Sequence, residues 1–99
     1  MLHYHVIRYV PDTIAGEFVN VGLILYDGTT YHKFIKPTER AKNFGSPEVW
    51  ASVLEELNTL EFDERMVKGR GLIQFTVGLP ILSEFDKARD RLLELFIKE

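Results

Sequence analysis

No cysteine occurs in the chain, which excludes disulfide staples, thiolate nucleophiles and cysteine metal sites and leaves a small core to hold by packing alone. A run of about 18 apolar residues is likewise missing, as is an apolar stretch of signal-peptide length near the start, where His3, Tyr4, His5 and Val6 alternate. Neither secretion nor membrane insertion is therefore expected, and a reducing, cytoplasmic setting fits. No charge sign dominates: the formal net charge is −3 over 99 residues, too mild for an acidic tail or a general nucleic-acid binder. There is no glycine-rich phosphate loop after a strand, no serine elbow, no zinc-protease helix and no prominent carboxylate pair. The sequence thus supports no enzyme class and implies no cofactor.

With 45% hydrophobic and 27% charged residues the composition is that of a folded globular protein, and 99 residues suffice for one core but not two. A single domain over residues 1–99 is expected. Its charge is segregated: residues 33–47 carry +3, residues 48–64 carry −6 and residues 65–71 carry +3. The basic groups are Lys33, Lys36, Arg40 and Lys42, then Arg65, Lys68 and Arg70. Their plainest role is a solvated face balanced by the glutamates between them. Phosphate contact through residues 33–42 and 65–70, with Trp50 or Tyr31 stacking on bases, is the lesser alternative.

Leu2 to Val10 is rich in β-branched and aromatic residues and stops at Pro11, which predicts a first strand. Residues 11–16 supply turn chemistry, Phe18 to Tyr26 reads as a second strand, and Asp27-Gly28 is a tight-turn dipeptide leading into a third strand over Thr29 to Ile35. Thr38 can cap a short helical turn running to Phe44, with Gly45 placed for a left-handed C-terminal cap. Ser46-Pro47-Glu48 starts a longer helix whose Val49, Trp50, Val53, Leu54, Leu57 and Leu60 recur at helical spacing, with Glu55 and Glu56 outside the stripe. A polar loop over residues 61–71 precedes a fourth strand at Leu72 to Val77, ended by Gly78 and Pro80. Ser83-Glu84-Phe85-Asp86 then opens a final helix in which Phe85, Ala88, Leu92, Leu95 and Phe96 share a face. Leu93 and Ile97 widen that face beyond what one sheet usually covers, and mark a candidate partner surface or merely a deeply inserted helix. The expectation is an α+β, two-layer domain in the order β-β-β-α-β-α, with an antiparallel sheet of about four strands and two helices packed on one face.

Polar residues interrupt the first two strands. If residues 11–16 close a hairpin, Arg8 and Glu17 come opposite each other and can pair. Asn20 and Gly22 share a parity with Phe18 and Ile24, unless a bulge intervenes. As architecture, Gly22 would relieve crowding and Asn20 would satisfy stray backbone groups. As a site, Arg8, Tyr9, Glu17 and Asn20 would bind an anion or dock a protein, because arginine offers a rigid fork to carboxylate or phosphate. His3 and His5 share a strand face, with His32 a conceivable third ligand. Without a metal signature these are expected to be ordinary solvated or hydrogen-bonded histidines, and no metal is assigned.

The run Arg8-Tyr9-Val10-Pro11-Asp12, followed by Gly16-Glu17-Phe18-Val19-Asn20-Val21-Gly22, resembles the signature of the bacterial domain-of-unknown-function family 3037. The resemblance carries over Arg8, Pro11, Gly16, Glu17, Asn20 and Gly22. It implies a small bacterial, cytoplasmic protein without assigned catalysis, encoded beside kinases similar to the Hip toxins, and against the larger members this chain looks short at its C-terminal side. The function expected first is a non-enzymatic protein-binding or regulatory module, accessory to such a kinase, with a protein partner or a second copy of itself. A binder or enzyme for a small anionic metabolite, using Arg8, Tyr9 and Asn20, and a nucleic-acid binder are the rival readings.

Overall fold

Three antiparallel strands open the chain because their sequences are dense in residues that pack on a pleated surface, and glycines punctuate them. In the computed structural model, which describes residues 2–12, 16–62 and 72–97, these are β1 (Leu2–Asp12), β2 (Glu17–Tyr26) and β3 (Tyr31–Ile35). Gly16 and Gly28 have φ of +72° and +98°, the left-handed region open to glycine without a Cβ clash. Asp27 fastens the β2–β3 turn: its Oδ1 accepts from the amides of Thr29 at 2.9 Å and Thr30 at 2.7 Å. Those bonds, Thr30 foremost, hold its carboxyl below the usual aspartate range. β1 continues through Pro11 to Asp12, past the end expected from the proline, with a register irregularity between Tyr9 and Asp12.

β2 lies along one edge of β1 and the C-terminal strands lie along the other. β4 (Ile73–Phe75) pairs with Ile7 to Tyr9, and β5 (Leu79–Ile81) pairs with Leu2 to Tyr4, both antiparallel, giving the order β3-β2-β1-β4 with β5 also on β1. The expected fourth strand is thus two short ones. Between them Thr76, Val77 and Gly78 face only His5 and Val6. Thr76 repairs the mismatch, its Oγ1 accepting from the Val6 amide at 2.8 Å and its carbonyl bonding His5 Nδ1 at 2.8 Å. A carbonyl can only accept, so Nδ1 is the protonated ring nitrogen. Gly78 is needed here, because a Cβ would lie 2.8 Å from His5 Cε1. Pro80 continues the pairing on an outer strand, where a missing amide hydrogen is tolerated.

The β1–β2 register shifts by one between Ile7 and Arg8: Ile7 faces Gly22, but Arg8 faces Asn20, so Val21 is an extra residue in β2. The Val21 carbonyl accepts from the Lys36 amide at 2.8 Å. Gly22 permits the close approach of β3, since a Cβ there would lie 2.8 Å from the Phe34 carbonyl oxygen.

Side chains of this sheet feed two separate apolar clusters. One holds Ile7, Tyr9, Val19, Val21, Ile24, Ile73 and Phe75 with the helical residues Trp50, Val53 and Leu57. The other holds Val6, Leu23 and Leu25 with Phe34, Phe85, Leu92, Leu93 and Phe96. Successive strand residues point to opposite faces, so Val6 and Ile7, or Leu23 and Ile24, cannot share a side. The helices therefore divide: α1 (Glu39–Lys42) and α2 (Pro47–Thr59) cover one face, and α3 (Phe85–Phe96) covers the other. The α+β class and the antiparallel sheet are as expected; the helices lie on both faces because β1 and β2 are apolar on both.

Local signals place the helices. Thr38 and Ser46 cap α1 and α2, accepting from the amides of Ala41 at 3.1 Å and Val49 at 3.2 Å. Gly45 is not left-handed; a Cβ there would lie 2.6 Å from the Tyr9 hydroxyl, so closeness to Tyr9 is what calls for glycine. Lys33 terminates α2 by donating to the carbonyls of Leu57 at 2.8 Å, Asn58 at 3.3 Å and Leu60 at 2.8 Å. Burial pushes its ammonium below the ordinary lysine pKa, and the charge of Glu61 opposes that. Glu84 stands at the N-terminal cap of α3 without a side-chain bond. The turn residues 13–15 and the basic groups Arg65, Lys68 and Arg70 lie outside the described residues.

Trp50 is 7% exposed and its ring centre is 5.4 Å from that of Tyr9, which makes it core rather than a stacking platform. Trp50→Ala should cost about 3–5 kcal/mol in urea unfolding, a large share of the roughly 5–15 kcal/mol typical of a domain. An unchanged midpoint would contradict the packing described.

Candidate functional site

The bulge sets Arg8 beside Asn20 in β2 and, through the β1–β4 pairing, beside Gln74. These three form a polar row across an otherwise apolar sheet, on the face that α3 covers, at the point where α3 ends. Asn20 Nδ2 donates to the Phe96 carbonyl at 2.8 Å, one of the helix-terminal oxygens left without an intrahelical partner. Asn20 thus does what its architectural reading anticipated: it satisfies a stray backbone group.

Two clefts flank this clamp and share Asn20 and Phe96. One, of about 280 Å³, has Arg8 and Thr76 among its lining and Val77 and Leu79 at its margin. The other, of about 210 Å³, is bounded by Phe18, Arg40 and Leu95. The Arg8 guanidinium carbon sits 4.1 Å from the centre of the Phe18 ring, a cation–π contact that holds its plane. Neither Arg8 nor Arg40 has an ion-pair partner among the described residues. Arg8 Nε and Asn20 Oδ1 are both buried without a hydrogen-bond partner among the described residues, a donor and an acceptor on paired positions of adjacent strands.

Other residues picked out in the sequence lie elsewhere. Tyr9, next to Arg8 in β1, points to the α2 face and is fully buried, with Phe44 and Trp50 against its ring. Burial pushes its phenol pKa up. It cannot join Arg8 in a site. Glu17 pairs with Asp12 and is exposed, so the expected Arg8–Glu17 ion pair is absent; the register irregularities before Asp12 set the two residues apart. Leu93 packs into the α3-face cluster and Ile97 is 3% exposed, so neither forms a partner surface. Ile81 of β5 joins that cluster, giving α3 more to pack on than the single fourth strand allowed for. The surplus apolar residue of α3 is Leu95, and Val77, Leu79 and Leu82 are exposed near β5.

His5 is bonded to Thr76 with Phe62 4.9 Å from its ring, whereas His32 meets Phe85 edge-on, ring centres 4.8 Å apart, on the opposite face. Among the described residues no group of three metal-ligating side chains occurs. Lys33, committed to the end of α2, is not available to phosphates. No helix among the described residues is long and apolar enough to cross a membrane. Sequence reasoning missed Thr76, Val77 and Leu79, because Gly78 and Pro80 read as a strand end. The signal available was a resumed apolar pattern at Leu79 and Ile81.

Asn20→Ala should lower stability by about 1 kcal/mol, the usual net worth of one hydrogen bond, and should speed amide exchange in the last turn of α3 while leaving α2 unchanged. Unaltered exchange at that turn would show that the clamp does not hold the helix.

A family model described as Protein of unknown function (DUF3037) matches residues 4–86. That span takes in β1 from Tyr4 onward, the other four strands, α1, α2 and the positions Arg8, Glu17, Asn20 and Gly22. No curated protein and no solved structure matches.

Proposed function

The chain belongs to the DUF3037 family of proteins of unknown function, and on that premise we propose that it is a non-enzymatic module that binds another protein at the cleft beside Arg8. The observation that carries this reading is the exposure of Val77, at 70%, and Leu79, at 49%, on the margin of a cleft that also holds an arginine with no ion-pair partner among the described residues. Adjacent apolar side chains left in water at the mouth of a cleft are the ordinary mark of a recognition surface. An apolar margin around one fixed cation suits a polypeptide, which presents apolar and polar groups together, better than a small polar metabolite. The bacterial cytoplasm is the setting we propose, in keeping with the absence of cysteine.

A photo-crosslinking residue in place of Leu79 should capture a discrete protein in the native cells, and the same residue in place of Glu55, exposed on α2, should not. Equal capture from both positions, or none from Leu79, would contradict the proposal.

A further inference from the structure

We infer that the Arg8 cleft recognises a carboxylate, supplied by an acidic side chain in an apolar stretch of the partner. The inference rests on the protein-binding reading and names the chemistry of that same site.

Arg8 lies in β1, flanked by β2 and β4, so its guanidinium is rooted in the middle of the sheet rather than on a flexible edge. Phe18 holds it from one side at 4.1 Å. A planar fork fixed in this way has lost little further freedom when it meets a carboxylate, the anion whose geometry it matches. Beside it, Asn20 donates from Nδ2 to the Phe96 carbonyl, and its buried Oδ1 stands on the position paired with Arg8. An acidic residue within a peptide presents its carboxylate together with apolar neighbours. Phe96, Val77 and Leu79 offer apolar contact to the residues on either side of it. Arg40, also without an ion pair among the described residues, borders the adjoining cleft and can receive a second acidic residue along the same segment.

One feature of the fold opposes an anion here. The C-terminal end of α3 carries roughly half a negative charge. Its Phe96 carbonyl is already engaged by Asn20, and the full positive charge of Arg8 outweighs it. The apolar margin favours an acidic side chain over a phosphorylated one, which would bring about twice the charge into the same space.

The test is selection of a displayed random-peptide library on the full chain, followed by fluorescence anisotropy of the enriched peptides. Enriched peptides should carry Asp or Glu beside apolar residues. Replacing that residue by Asn or Gln should weaken binding at least tenfold, as should Arg8→Gln. Arg8→Lys, which keeps the charge but not the fork, should also weaken it; the peptide-side replacement needs no altered protein, so the test survives misfolding of either variant. Enriched peptides without acidic residues, or acidic ones that bind as well after amidation, would overturn the carboxylate inference while leaving the protein-binding reading intact. Binding only by phosphoserine peptides would overturn it in favour of phosphate. Failure to enrich any peptide, together with no capture from position 79, would overturn both.

Discussion

One extra residue in β2 is the constraint on which the rest of the structure depends. Up to Ile7 and Gly22 the first two strands pair regularly; past Val21 the pairing resumes one residue out of step. A slip of one reverses the face of every side chain beyond it. Val19 and Val21 consequently join Ile24 under α2, and Asn20 falls on the side of Leu23 and Leu25 under α3. Gly22 makes this affordable, since no other residue fits against the Phe34 carbonyl. Without the bulge, Asn20 would face the α2 core, where its amide would have no partner and would cost about 1–3 kcal/mol.

From that placement follow both the seating of α3 and the cleft beside it. The helix ends where Asn20 can take its Phe96 carbonyl, and stopping there leaves Arg8 uncovered at the edge of the helix. On the opposite face Tyr9 performs the matching structural task, filling the space over Gly45 between Phe44 and Trp50. The polar interruptions of the hairpin are thus sorted by side. Tyr9 and Asn20 are architecture, and Arg8 has no ion-pair partner among the described residues.

Much of the fold was legible in the sequence because it rests on local chemistry. Ser46-Pro47 marks the start of α2, Asp27-Gly28 the second hairpin and Thr38 the cap of α1, each through contacts within a few residues. What was not legible rests on contacts distant in sequence. That α2 and α3 take opposite faces depends on which parity of β1 and β2 meets which helix, and the run Val19 to Leu25 is apolar on both parities. The continuation of β1 through Pro11, and of the last strands through Gly78 and Pro80, runs against local propensity and is sustained by pairing and by Thr76. Of the site, Arg8 and Asn20 were found because polar residues in an apolar strand require a reason. Tyr9 and Glu17 were grouped with them because proximity in sequence is not proximity across a pleat.

The most direct test of the account is a set of interstrand NOEs between β1 and β2 in solution. The structure predicts contacts that put Ile7 opposite Gly22 and Arg8 opposite Asn20, with Val21 lacking a partner in β1. Contacts that put Arg8 opposite Val21 would mean a regular ladder with Asn20 turned toward α2, and would contradict both the seating of α3 and the site built on it.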